Sequence, residues 1–240
     1  MSYCYAYPHP AVTTDTVVFA IRDDQLQLLL IRRASEPHAG QWALPGGFLE
    51  IDEGLEDCAR RELREETGLD GLYLEQLRTF GAPGRDPRER VLSVAYFALL
   101  PLHAPQELEA ASDASAAVWH PCAGLPALAF DHEQIVAMAL ERLRAKLLYS
   151  TIALQFMPGC FTLSQLQSVY ETILGEPLDK RNFRKRMQGL GCLEETGDMA
   201  RNGQHRPARL YRARVPDRVN IIQRANSRSA QARSGGGSIT

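Results

Sequence analysis

Three glutamates, Glu62, Glu65 and Glu66, stand at i, i+3 and i+4 in the run LEDCARRELREET, so a helix would carry all three on one side. Carboxylate oxygens in this arrangement suit Mg²⁺ or Mn²⁺, hard cations that keep several waters and accept substrate phosphates. Such an ion can neutralise a diphosphate and activate water. A charge run is more commonly a solvated face. At 100° per residue, however, Glu62 and Glu66 fall within roughly 20° of Leu55, on the side of Ala59. Carboxylates on an inward face call for a cation or buried partners, which makes Glu62, Glu65 and Glu66 the candidate metal ligands and catalytic carboxylates. Hydrolysis would also need a base against the attacking water. Glu65, Glu66 and the loop carboxylates Asp86 and Glu89 all qualify, and the sequence does not choose among them.

A second constellation lies in KRNFRKRMQGL, residues 180–190. At helical spacing Phe183, Met187 and Leu190 form an apolar stripe, while Arg181, Arg184, Lys185 and Gln188 project from the opposite side and Asn182 and Arg186 flank it. Arg, Asn and Gln are the side chains that read purine edges in the major groove, and Lys mostly holds phosphate. Lys180, Arg181, Asn182, Arg184, Lys185 and Gln188 are therefore candidate DNA contacts. Arg206 and Arg209, with His205, could add contacts from the hairpin that follows. A solubilising helix face, or a winged helix that binds protein, is the plainer alternative.

These residues need elements to position them. TDTVVFAIRD and DQLQLLLIRRA read as two strands joined by a tight polar turn near Asp23-Asp24. Pro45-Gly46-Gly47 breaks the chain before a helix from about Gly54 to Thr67, which Gly68 ends. LYLEQLRTF and VLSVAYFALL are strand-like and flank the loop GAPGRDPRER; AAVWHP is a short last strand. Asp131 and Gln134 match a capping box for a helix running to about Tyr149. Thr162 and Gln165 make another, ahead of a helix with Leu163, Leu166, Tyr170, Ile173 and Leu174 on one face. Asp179 can cap the basic helix, and two strands around a polar loop follow it. Helix, turn, basic helix and hairpin describe a winged helix-turn-helix. The Arg/Ser/Gly-rich end reads as a disordered tail. The expected division is 8–148, 149–215 and a tail at 216–240.

The stretch GFLEIDEGLEDCARRELREETGL, residues 47–69, resembles the Nudix box, with Gly47, Glu53, Arg61, Glu62, Glu65, Glu66 and Gly68 at its defining positions. Seven such identities would coincide by chance roughly once in 10⁹ positions. The resemblance implies that Arg61 and Glu53 pair to hold the loop against the helix, with Gly47 and Gly68 structural. It also implies a fold of the α+β class: a Nudix α/β/α sandwich followed by a winged helix-turn-helix domain. TFGAPGRDPRERVLSVAYFALL, with LPALAFDH, resembles Nudix proteins that recognise ADP-ribose. On that likeness Arg33, Arg85, Arg88 and Arg90 are candidate phosphate or ribose ligands, with Arg32 beside Arg33. Trp42 and Phe130 are candidates either to stack on adenine or to fill the core. His120 and His132 have no clustered partners and read as structural. Over about residues 8–215 the chain resembles the Nudix-related transcriptional regulators of NAD metabolism (NrtR type), which implies a dimeric repressor sensing ADP-ribose or a related nucleotide. Many such regulators carry an eroded box; this one is complete.

The composition narrows the field. The chain has 240 residues, 45% of them hydrophobic and 23% charged, ordinary globular usage that excludes wholesale disorder. No apolar run approaches the ~20 residues that span a bilayer, and the first residues carry no secretory pattern. The five scattered cysteines form no CxxC, which fits a reducing cytoplasm better than a disulfide framework or a zinc site. The net charge of −2 hides a split: residues 1–145 hold 12 Lys+Arg against 22 Asp+Glu, whereas residues 146–240 hold 15 against 7. A half at −10 and a half at +8 suggest that the second meets a polyanion. Two function classes follow. One is a ligand-controlled regulator binding a double-stranded operator as a homodimer, its affinity lowered by ADP-ribose. The other is a Mg²⁺- or Mn²⁺-dependent ADP-ribose pyrophosphatase with an accessory winged helix.

Overall fold

The computed structural model describes residues 6–104, 114–200, 207–216 and 218–222. Strand β1 (Ala11–Arg22) is the centre of a mixed seven-stranded sheet. It turns back through Asp23 and Asp24, both at positive φ (49° and 57°), into β2 (Gln25–Arg33). That geometry is the hairpin turn for which Asp is tolerated. The short strands β3 (Trp42–Ala43) and β4 (Gly46–Phe48) pair with β2 and β1 respectively, where the sequence suggested only a chain break. Strands β5 (Tyr73–Phe80), β6 (Val91–Leu99) and β7 (Ala114–Pro121) complete the sheet; β6 runs parallel to β1, from Ala11 opposite Val91 to Phe19 opposite Leu99.

The inner strands are covered on both faces, so they read as continuous apolar runs rather than alternating ones. Val17, Phe19, Leu28, Leu30, Phe97 and Leu99 point to one side. Val18, Ala20, Leu29, Ala98 and Leu100 point to the other, against Leu63 of helix α1 (Leu55–Thr67). Helix α2 (His132–Tyr149) closes the first face with Ile135, Ala139, Leu143 and Leu147, all fully buried. The result is the expected α/β/α sandwich.

The apolar cluster beneath α2 continues into the C-terminal unit. After a 3-10 turn at Ile152–Phe156 come β8 (Phe161–Thr162), α3 (Leu163–Leu174), α4 (Lys180–Gly189), β9 (Leu193–Ala200) and β10 (Ala208–Ala213), with strands ordered β8-β10-β9. This is a winged helix. Thr162 and Gln165 form a reciprocal capping box, and Asp179 accepts from the Asn182 N–H at 2.8 Å. Phe183 and Met187 are buried against α3, where Tyr170 meets the Phe183 ring edge-on.

Two expectations are corrected here. Asp131 stands at the N-cap of α2 but makes no capping bond, because its carboxylate is taken by Arg85. The chain does not become a free tail at 216. Asn220 and Ile222 bond to Thr151 and Tyr149, and Gln155 donates to the Pro216 carbonyl. Residues 223–240, and the hairpin residues His205 and Arg206, lie outside the described residues.

Candidate functional site

A cleft of about 520 Å³ opens between α1, the ends of β1, β2 and β4, and the 85–88 loop. One wall is α1. Its three glutamates climb from floor to rim: Glu66 is buried, Glu62 half-buried and Glu65 exposed. Glu66 accepts the Gly46 N–H at 2.8 Å. Gly47 stands close to this wall: a Cβ there would lie 2.3 Å from Glu62 Oε1, so any side chain would displace the Glu62 carboxylate. Gly68 ends α1 in the left-handed conformation at φ 74°, a position glycine occupies without penalty.

Arg61 organises the wall. Its guanidinium forks onto Glu53 at 3.0 and 2.7 Å and also donates to the Phe48 carbonyl, which ties the 48–53 loop to the helix. The Arg61 hydrogen bonds hold the Glu53 carboxyl down to about 2. Arg61 also reaches Glu62 at 2.7 Å and Glu65 at 3.2 Å. Burial nonetheless pushes Glu62 above the usual carboxylate range despite that contact. Carboxylate oxygens are the donors that hard divalent cations take. The hard-oxygen set Glu62, Glu65 and Glu66 thus suits a divalent ion in chemistry. It is not a ready-made cage, however: among the described residues no three His, Cys, Asp or Glu converge on one point. Arg61 stands between Glu62 and Glu65.

The opposite wall is basic and aromatic. Phe130 lies with Arg33 over its ring at 4.9 Å and Arg88 at 5.9 Å, and Arg88 also covers Phe48 at 5.0 Å. Arg88 forks onto Asp86 at 3.0 and 2.7 Å. Burial alone would raise Asp86, yet the Arg88 bonds leave it below its ordinary value. Arg33 is lowered first by burial and then by the charge of Arg88. An acidic wall facing two guanidiniums around a phenyl ring suits a cation–diphosphate pair with an adjoining planar group.

The four candidate ligand arginines separate. Arg33 and Arg88 line the cleft, and Arg33 also donates to the Pro37 and Ser35 carbonyls at 2.9 and 3.4 Å. Arg85 also lines the cleft but is only 3% exposed, forked onto Asp131 at 3.0 and 2.6 Å and 3.5 Å from Asp15. Its guanidinium is held by these two carboxylates at the cleft wall. Arg90 donates to the Ala82 carbonyl and does not line the cleft. Phe130 lines the cleft, whereas Trp42 packs against the core and His120. His132 accepts the Leu44 N–H at 3.0 Å and lies 3.5 Å from Asp15. Burial pushes its pKa down. Asp15, which also accepts from Ser93, is the residue sequence reasoning passed over. The signal was available: one carboxylate inside the strand TTDTVVFAIR demands a buried partner.

On the second unit, Lys180, Arg181, Asn182, Arg184, Lys185 and Gln188 are all exposed on α4. Arg209 lies on β10, 65% exposed and paired with Glu195. Arg186 differs from its neighbours and turns inward, toward the end of α2.

Fold and cleft together define a Nudix domain joined to a winged helix. A NUDIX domain model matches residues 12–139, and a model of the NrtR DNA-binding winged helix domain matches residues 153–213. The chain is 44% identical over 213 residues to the ADPR responsive transcriptional repressor NtrR of Acinetobacter baylyi, covering 88% of this chain and 85% of that one. It superposes on the crystal structure of Shewanella oneidensis NrtR complexed with a 27mer DNA with TM-score 0.75 and 40% identity, over 86% of this chain and 94% of that one. An ADP-ribose pyrophosphatase of Methanocaldococcus jannaschii is 39% identical over 130 residues, 54% of this chain and 73% of its own. The chain belongs to the NrtR family of Nudix-related transcriptional regulators.

Proposed function

We propose that this protein is a transcriptional repressor of NAD-metabolism genes that senses ADP-ribose in its Nudix cleft. The observation that carries the reading is the pairing of two surfaces on one chain: a bipolar cleft suited to a diphosphate, and an exposed helix face of Arg, Lys, Asn and Gln. A hydrolase alone has no use for the second. Arg33, Arg88 and Phe130 are the cleft residues proposed to hold the ligand, with Mg²⁺ or Mn²⁺ held at Glu62, Glu65 and Glu66 to offset the diphosphate charge. Lys180, Arg181, Asn182, Arg184, Lys185 and Gln188 are proposed to meet the operator, with Arg209 on the wing and the nearby Arg206 as further candidates. The protein acts in the cytoplasm as a homodimer on a two-fold site, because one helix reads too few base pairs for a unique address.

Ligand in the cleft lowers operator affinity. A useful switch needs about 10–100-fold of coupling. Titrating ADP-ribose against a fluorescent operator tests it: operator affinity should fall at least about tenfold at saturation. An unchanged dissociation constant removes the sensor role. A second reading, retained hydrolysis of ADP-ribose, is favoured by the complete box with Glu66 seated on Gly46. It predicts release of AMP and ribose 5-phosphate.

A further inference from the structure

Helices end with carbonyls that have no partner in the helix. At the C-terminus of α2 the amides that would normally approach are engaged elsewhere: Thr151 N–H donates to Asn220 and Ile152 N–H to Ser150 Oγ. The Leu147 and Leu148 carbonyls are met instead by one side chain, Arg186, whose Nη2 donates to them at 3.0 and 3.1 Å. A cation there also opposes the negative end of the helix dipole. Arg186 comes from the recognition helix itself, where its guanidinium lies 5.9 Å from the Tyr170 ring of α3. Arg144, one turn earlier on α2, donates to the Ile173 carbonyl at the end of α3.

The other end of α2 is built into the cleft. Phe130 and His132 line it, and Asp131 takes the fork of Arg85. Between the two ends α2 has 18 residues with no glycine or proline, a strut of about 27 Å. Resting on the proposed function above, we infer that Arg186 is not a DNA contact but a positioning residue. It is the joint through which the cleft end of α2 sets the angle of the recognition helix. The sequence pattern, one more arginine on a basic helix, conceals the role.

The test uses the full chain with Arg186→Met, Arg186→Lys and, for comparison, Arg184→Ala. Operator affinity is measured as a function of salt, with and without saturating ADP-ribose, and ADP-ribose affinity is measured separately by calorimetry. Arg186→Met is expected to keep the wild-type salt slope and ADP-ribose affinity, while the ligand effect on operator falls from about tenfold or more to less than about threefold. Arg186→Lys, which restores a cation at the helix end, should recover part of that effect. Arg184→Ala should show the reverse, a ligand effect of wild-type size. A salt slope reduced by about one unit in Arg186→Met, with the ligand effect intact, makes Arg186 an ordinary phosphate contact and overturns the inference. If Arg186→Met does not fold, Arg186→Lys carries the decision. Operator affinity that responds to ligand no less than in wild type overturns it, and a reduced response at an unchanged slope supports it. A wild type that does not respond to ADP-ribose at all sinks the sensor reading, and this inference with it.

Discussion

The 85–90 loop and the 180–188 helix are alike in composition and opposite in what their arginines do. In the loop, Arg85 and Arg88 each fork onto a carboxylate already in place, Asp131 and Asp86. On the helix, Arg181, Arg184 and Lys185 are exposed and make no hydrogen bond or ion pair among the described residues. Charge neutralised on the spot shapes a cleft, whereas charge left open to solvent reaches outward as a field. A basic stretch in a sequence is therefore two different things, depending on whether the fold returns an acid to it.

The contrast breaks most visibly in stability. Arg85→Met leaves Asp15 and Asp131 facing one another without their cation, and should cost about 3–5 kcal/mol in chemical denaturation. Arg184→Ala should cost less than about 0.5 kcal/mol in the same experiment. Equal losses would erase the distinction. Next in size is the chemistry of the acidic wall. Glu66→Gln should lower any divalent-dependent AMP release from ADP-ribose at least about 100-fold, with operator affinity unaltered without ligand. A wild type that releases no AMP ends the hydrolytic reading.

The open helix face comes third. At least one of Arg181→Ala, Arg184→Ala and Gln188→Ala should lose about 1–3 kcal/mol at the operator and relax preference at one base pair. Lys180→Ala and Lys185→Ala should weaken all sequences alike, each lowering the salt slope by about one unit. Five variants that bind as wild type would move recognition off this helix. The smallest effect is acid titration. Arg61 holds Glu53 down to about 2 from an ordinary 4.5, so the stabilisation is complete above about pH 4.5 and is lost as pH falls toward 2. Replacing Glu53 with Gln should flatten that part of the stability profile, and an unchanged profile would mean that the Arg61 contact carries no weight.

Local signals were legible in the sequence because their causes are local. The i, i+3, i+4 spacing, the Gly68 stop, the Thr162–Gln165 box and the Asp179 cap each depend on residues within one or two helical turns. What failed was long-range. Arg85, Arg88 and Arg90 look interchangeable in GRDPRER, and only the return of Asp131, 46 residues on, singles out Arg85. The same Asp131 satisfies the capping-box pattern with Gln134, but a buried guanidinium outcompetes an exposed amide for its carboxylate. Arg186 differs from Arg184 by two positions on one helix, and no periodicity of α4 alone discloses that α2 ends beside it. Arg33 and Arg88 gain their meaning from Phe130, whose ring they share only once β2 and the start of α2 are side by side.

The bonds from Asn220 and Ile222 back to Thr151 and Tyr149 have a consequence for how the protein is made. Translation is vectorial, and domains fold N-terminal first, at about 5–20 residues per second of synthesis. The strands and helices of the cleft are in hand once the chain has passed Tyr149, while the Thr151 and Tyr149 partners arrive only with residues 220–222. An interval of roughly 70 residues, on the order of 4–14 s, separates the two events. The nascent chain therefore holds an assembled nucleotide cleft before its reading head is clasped in place, and the last turn of the clasp is supplied by the final described stretch of the polypeptide.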